Sequence, residues 1–261
     1  MRALITAATG MEAQQTRLDN IANNLANVGT TGFKRMRAEF QDLFYEVLRA
    51  PGATASDGTT VPTGIQVGHG VKLAAITRHF GEGERINTGN QLDLAIDGDG
   101  LFQIVRPGGE VAYTRDGTFK VNADGLVVNS LGYPLEPAIT VPSDAIAISI
   151  LEDGTVSALV GIDAAPTELG QIQIARFVNP AGLRALGNNL FLPTEGSGDP
   201  AVGTPNEDGF GAIAQGFLES SNVNIAEELV HMIMAQRAFE VNTRVIQAGD
   251  QMMQTASTIV R

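Results

Sequence analysis

The segment from Leu18 to Arg35 reads LDNIANNLANVGTTGFKR, and it combines a helical pattern with an unusual number of asparagines. The asparagines are Asn20, Asn23, Asn24 and Asn27. Asparagine is a mediocre helix former, because its side chain competes for nearby backbone groups. A helix with four asparagines and few charges therefore indicates an unusual environment for its polar side.

Apolar residues recur with a helical period through the first 28 positions. Four of them repeat at intervals of seven and two more fill the adjoining position: Leu4, Met11, Leu18 and Leu25, then Ile21 and Val28. This heptad-like seam predicts an N-terminal assembly helix over residues 1–29. Gly29 supplies a C-terminal stop, and the loop TTG follows.

A longer heptad pattern fills the C-terminal end and predicts an assembly helix within residues 218–261. Its members are Ile225, Met232, Phe239, Ile246, Met253 and Val260. Asn224 followed by Glu227 resembles a capping box, so we expect the helix to run from about 224 to about 259. A core helix in a bundle is the alternative, but no other segment supplies further bundle helices. The two terminal helices are expected to pair as a coiled coil.

Between the helices the hydrophobic period changes to two. Short alternating runs such as LDLAIDGDGLFQIV are separated by Asp-Gly pairs, as in hairpins, and predict an all-β domain over 71–217. Residues 30–70 are predicted as a loop and an extended stretch, whose Pro/Gly-rich part disfavours regular helix at Pro51, Gly52, Gly58 and Pro62. The predicted fold class is α+β, with a β domain and an extended Pro/Gly-rich arm inserted between two long terminal helices.

Composition and charge exclude several classes of function. The formal charge of −12 falls entirely on residues 50–222, which argues against nucleic acid as a partner. The chain has no cysteine, and no uninterrupted apolar run is long enough to span a bilayer. His79 with Glu82 and Glu84 lacks the further ligands that a metal needs. No catalytic fingerprint occurs, so we expect no enzyme activity, no metal site and no cofactor.

The asparagines suggest a polar face that is packed rather than solvated. A solvated helix face would usually carry Glu, Lys and Arg, and a face buried on an apolar partner would carry Leu or Ala. A neutral amide donates and accepts hydrogen bonds without the desolvation cost of a charge. Together with the long C-terminal seam, this pattern predicts a polymer in which the asparagines form a polar stripe between subunits.

Two long motifs identify the sequence as similar to the bacterial flagellar rod and hook proteins. LDNIANNLANVGTTGFKR resembles their N-terminal signature, and SSNVNIAEELVHMIMAQRAFEVNTRVIQAGDQMM, at 220–253, resembles their C-terminal signature. Residues 44–71 resemble the extended stretch of the distal rod members, which hook proteins usually lack. The remaining alternatives are a proximal rod or short hook protein and, in another class, an exported β-domain adhesin or cell-wall enzyme.

This resemblance implies a structural subunit of a rigid, hollow drive shaft that transmits motor torque. Its partners would be further copies of itself in a helical homopolymer, other rod proteins, the hook protein, the rod cap, and the bushing rings of the peptidoglycan and outer membrane. The rod would cross the periplasm. The N-terminus lacks the sustained apolar core of a secretory signal, and the resemblance implies export by the flagellar type III apparatus without a cleaved signal peptide.

Overall fold

A computed structural model of the chain describes residues 2–52, 62–161 and 165–259. A long helix stands at each end, α1 at Arg2–Ala26 and α2 at Ile225–Ile259. Within the described residues the middle of the chain forms strands and one short 3-10 helix at Pro180–Gly182. The predicted α+β class, with terminal helices and a β-rich middle, is confirmed.

The chain divides into two compact units. Unit 1 comprises Met1–Leu25, Met36–Thr77 and Asn224–Arg261, and unit 2 comprises Ala26–Arg35 and Arg78–Val223. The region 30–70, which the sequence suggested to be loop and extended chain, contributes regular strands to unit 1. The strands of unit 1 are β1 (Met36–Asp42), β2 (Tyr45–Arg49), β3 (Ile65–Gly68) and β4 (Val71–Arg78).

A local signal explains where α2 begins. The side chain of Asn224 accepts hydrogen bonds from the backbone N–H groups of Ala226 and Glu227, at 3.0 and 3.3 Å, so it is the N-cap that the sequence predicted. Strand β1 pairs with β4, and β2 pairs antiparallel with β3. The Pro/Gly-rich stretch therefore connects two paired strands.

Unit 2 is a set of antiparallel sheets. Its strands are β5 (Arg85–Asn87), β6 (Leu94–Asp97), β7 (Leu101–Val105), β8 (Val111–Thr114), β9 (Lys120–Val121), β10 (Val127–Val128), β11 (Ala145–Ile150), β12 (Thr155–Val160), β13 (Thr167–Gln171), β14 (Ile174–Arg176), β15 (Arg184–Gly187), β16 (Leu190–Leu192), β17 (Ala201–Gly203), β18 (Ala212–Gln215) and β19 (Phe217–Glu219). The largest sheet has the order β15-β16-β8-β7-β14-β17, and a three-stranded sheet has the order β11-β12-β13. Strand β18 pairs with β6, and β19 pairs with β5, so the last two strands of unit 2 pair with its first two.

The largest hydrophobic cluster of unit 2 brings together residues from several of these sheets. Phe102 and Phe119 are fully buried and meet edge to face, with ring centroids 5.2 Å apart. Ile174 from β14 and Ile213 from β18 belong to the same cluster. This core includes residues from both ends of the unit, so the unit is closed by non-local contacts rather than built from independent hairpins.

Two of the predicted Asp-Gly turns illustrate why the sequence pattern identified hairpins. Gly154 has a φ of +81° in the turn between β11 and β12, where its N–H donates to Leu151 O at 3.0 Å. Gly125 has a φ of +82° in the turn between β9 and β10. This left-handed backbone is readily adopted by glycine, because glycine has no Cβ.

Candidate functional site

The two terminal helices contact each other within unit 1 and run in opposite directions. Thr243 Oγ1 lies 3.5 Å from Met11 Sδ. A Cβ placed on Gly249 would lie 2.5 Å from a methyl carbon of Leu4, so the two helices approach closely here and a larger residue would require Leu4 to shift. Residues near the start of α1 therefore meet residues in the second half of α2.

The apolar residues of the two predicted seams are partly buried by other parts of the same chain. In the N-terminal seam Ile21 is buried, and the half-buried members are Leu4, Met11, Leu18, Leu25 and Val28, of which Val28 belongs to unit 2. In the C-terminal seam the half-buried members are Met232, Phe239 and Ile246, and the exposed ones are Ile225 and Met253. Val260 lies outside the described residues.

A second apolar row on α2 is open to solvent. Its members, spaced alternately by four and seven residues, are Val230, Met234, Val241, Val245 and Met252. Their exposed fractions run from 42% to 67%. Residues at these spacings share one face of a helix. We call this row the open stripe of α2; sequence reasoning missed it by following only the strict sevenfold repeat.

Two of the four asparagines bind a strand of their own chain. Asn24 Nδ2 donates to Met36 O at 2.8 Å, and its Oδ1 accepts from Met36 N at 2.9 Å. With its amide oriented to satisfy both neighbours, Asn20 donates to Met36 O at 3.0 Å and accepts from Ala38 N at 3.1 Å. These amides satisfy backbone groups of β1, an intramolecular role that the sequence interpretation did not include.

The other two asparagines have different surroundings. Asn23 is exposed on α1 and interacts with another group of the same chain. Asn27 is half-buried beyond the end of α1, where its Oδ1 accepts a hydrogen bond from Thr30 Oγ1 at 3.2 Å. The four residues therefore do not form one uniform stripe, and a role between subunits stays a prediction for them.

The strands beside the Pro/Gly-rich stretch carry many exposed apolar side chains. Phe44, just before β2, is 92% exposed, and the neighbouring exposed residues are Tyr45, Val47, Leu48 and Ile65. Of the residues predicted for this stretch, Pro51, Gly52 and Pro62 are exposed, and Gly58 lies outside the described residues. A two-stranded ribbon is only marginally stable in water. An exposed apolar surface on such a ribbon therefore indicates a contact surface for a neighbouring molecule.

Unit 2 contains a buried cluster of three charged residues. The side chains of Lys34, Glu219 and Arg115 are 1%, 2% and 5% exposed. Lys34 Nζ donates to Glu219 Oε1 at 2.6 Å, and Arg115 Nε donates to Glu219 Oε2. We call these three residues the buried charge cluster; it brings together parts of the chain that no sequence pattern connects.

Every charged group of this cluster has further partners. Lys34 Nζ also donates to Gly81 O at 2.8 Å, and Arg115 Nη2 donates to the carbonyls of Ile96 and Gly98 at 2.7 and 2.8 Å. Burial alone raises the pKa of Glu219, but the positive charges of Arg115 and Lys34 outweigh it and hold that pKa below the ordinary value. Glu219 is therefore an ionised carboxylate inside the unit.

Acid is expected to destabilise unit 2 through Glu219. The folded-state pKa of this carboxyl lies below its unfolded value of 4.5, so the unfolded chain binds the proton first. Its contribution to stability is complete above pH 4.5 and is lost as the pH falls through the lower, folded-state pKa. Urea unfolding between about pH 7 and about pH 3 checks this, and the pH slope should be smaller in Glu219→Gln but unchanged in Glu207→Gln, an exposed control. Equal slopes in all three proteins would contradict it.

The described residues show no assembled metal site. No group of three or more His, Asp or Glu side chains there is placed to hold a metal ion. His79 Nδ1 instead accepts a hydrogen bond from Gly81 N at 3.2 Å. Neither is any helix in the described part of the chain long and apolar enough to cross a membrane.

Three family models match the chain, and together they define its class. The model for flagella basal body rod proteins matches residues 4–34, and that for the C-terminal region of flagellar basal body rod FlgEFG proteins matches 214–259. The model for the D1 domain of the flagellar hook protein FlgE/F/G matches 95–158. The matched regions thus cover most of α1, the whole of α2 and part of unit 2, as expected for the flagellar rod and hook class.

Similar proteins show to which family within this class the chain belongs. The chain is 51% identical to the flagellar basal-body rod protein FlgG of Borreliella burgdorferi, over 100% of this chain and 99% of that protein. It is 47% identical to FlgG of Caulobacter vibrioides, over 99% of each, and 38% identical to FlgG of Bacillus subtilis, over 100% of each. The chain belongs to the flagellar basal-body rod protein family.

Proposed function

We propose that the chain is a structural subunit of the distal flagellar rod, which polymerises through its terminal helices into a rigid, hollow shaft that transmits torque to the hook. The observation that carries this proposal is the open stripe of α2, a row of five apolar side chains that unit 1 leaves in solvent. A chain that functions as a monomer would be expected to bury such a row or to carry polar residues in its place.

The energetics favour a polymer over an exposed stripe. Burying one Val or Met side chain contributes about 1.5–3 kcal/mol. A helical assembly repeats this gain in every subunit. The same gain offsets the free-energy cost of ordering the helix ends. In the assembled shaft, α1 and α2 act as a coiled-coil pair, with the open stripe of α2 against the helices of neighbouring copies.

The proposed partners are further copies of the chain, other rod proteins, the hook, the rod cap and the two bushing rings. The rod would lie in the periplasm, reached through the flagellar type III apparatus without cleavage of a signal peptide. The acidic residues between 50 and 222 would form much of the surface towards the rings.

Assembly of the purified chain tests this proposal. Concentrated protein examined by electron microscopy should form straight, hollow filaments, and a chain supplied to cells that lack the distal rod should restore motility. A protein that stays a folded monomer at every concentration and fails to restore motility would contradict the proposal.

The Pro/Gly-rich stretch is proposed to stiffen the rod. It joins β2 and β3, whose exposed apolar residues include Tyr45 and Ile65, and neighbouring subunits would cover that surface. Deleting residues 51–63 should leave export and the thermal unfolding of unit 2 unchanged, because unit 2 contains none of these residues. The filaments should become curved. Straight filaments of normal rigidity, measured by electron microscopy, would show that the stretch does not stiffen the rod.

A further inference from the structure

The buried charge cluster joins segments that lie far apart in the sequence. Lys34 lies in the segment that follows α1, and its partner Glu219 is 185 residues further on, at the end of β19. Arg115, which holds the other carboxylate oxygen, is 104 residues before Glu219. One carboxylate is therefore shared by two cations that come from separate parts of unit 2.

Backbone hydrogen bonds run beside the charges and tie the same segments together. Gly32 N donates to Glu219 O at 2.8 Å, and Arg35 N donates to Asn222 Oδ1 at 2.7 Å. The side-chain amide of Asn222 donates to Gly81 O at 2.9 Å, the same carbonyl that Lys34 contacts. Residues 26–35 and 217–223 are thus held at one place in unit 2.

Glu219 is the member on which the other two depend. Gly83 N donates to its Oε1 at 2.8 Å, so the loop 79–84 is also fixed by this carboxylate. Without Glu219, Lys34 and Arg115 would be two like charges buried side by side. Removing one partner of a buried ion pair is strongly unfavourable, because it leaves an uncompensated charge away from water.

We propose that Lys34, Arg115 and Glu219 form a folding latch. The latch closes unit 2 around both of its terminal segments in one step. It can close only when the chain is present as far as Glu219. Until then the two cations stay in water, and residues 26–35, the loop 79–84 and the segment 94–101 remain open. The latch acts on the subunit before any assembly, so it does not depend on the function proposed above.

Hydrogen exchange on the full-length chain tests the latch. Glu219→Gln keeps the shape of the side chain and removes its charge. We expect exchange to become about tenfold faster or more at 26–35, 79–84 and 94–101 together, while β11, β12 and β13 keep their protection. Glu207→Gln, which changes an exposed carboxylate in the same way, should leave these segments unchanged.

A second variant separates charge from packing. Lys34→Met combined with Glu219→Gln leaves one buried cation instead of two, so exchange at 79–84 and 94–101 should be slower in the double variant than in Glu219→Gln alone. A double variant perturbed at least as much as the single one would overturn the latch. Exchange that rises only at 217–223, or protection lost equally in β11–β13, would also overturn it, since the cluster would then be a local contact or an ordinary part of one core.

Discussion

Val241→Asp is expected to abolish rod assembly while leaving the monomer folded. Val241 is the middle member of the open stripe of α2 and is 57% exposed, so the change should alter the free energy of unfolding of the monomer by about 0.5 kcal/mol or less. In the polymer the same carboxylate is buried without a partner, which costs several kcal/mol, about 3–5, at each subunit. Because the penalty recurs along the rod, assembly should fail completely.

Motility, electron microscopy of basal bodies and the melting temperature of the purified protein measure this outcome. The matched control is Gln247→Asp, which places the same residue on α2 about 120° around the helix, on an exposed polar position. The control should assemble and swim. Normal rods in cells carrying Val241→Asp would exclude the open stripe as an assembly surface.

Gly83→Ala is expected to destabilise unit 2 more than most single changes. A Cβ at this position would overlap the backbone carbonyl oxygen of Ser220, which no side-chain rotation relieves. The strands β5 and β19 would have to separate, although Ser220 N donates to Glu84 O at 2.8 Å between them. The hydrogen bond from Gly83 N to Glu219 Oε1 would be disturbed as the backbone moves away from Ser220. We expect a loss of about 3 kcal/mol of unfolding free energy.

Calorimetry of the full-length chain checks this change, and the transition of unit 2 should move down by about 10 °C. Gly29→Ala is the control, since a Cβ there would meet no atom within 4 Å. Its melting temperature should stay close to that of the unchanged chain. A Gly83→Ala protein as stable as the control would mean that β5 and β19 can move apart at little cost.

The elements that could be predicted from the sequence are those with local signals. The start of α2 follows from Asn224, whose capping partners lie two and three residues away. The turn at Gly154 follows from an Asp-Gly pair between two alternating runs. Both signals are complete within a few residues of the chain, so no tertiary information is needed to interpret them.

The features that could not be predicted depend on contacts made elsewhere in the fold. Asn24 binds the backbone of Met36, which requires that the chain reverse after α1. Lys34 looks like any lysine in the sequence, because its carboxylate partner is 185 residues away. Val241 belongs to an apolar pattern on α2 that fits several helix faces, and only the position of α1 determines which face stays open.

Thiol labelling at Val241 tests most directly whether the open stripe of α2 is covered in the rod. The chain contains no cysteine, so Val241→Cys introduces a single reactive site. Reaction with a maleimide should be fast in the purified monomer and absent in isolated basal bodies, and denaturing those basal bodies should restore it. Equal labelling of monomer and intact basal bodies would contradict the account, because the stripe would then face solvent in the assembled rod.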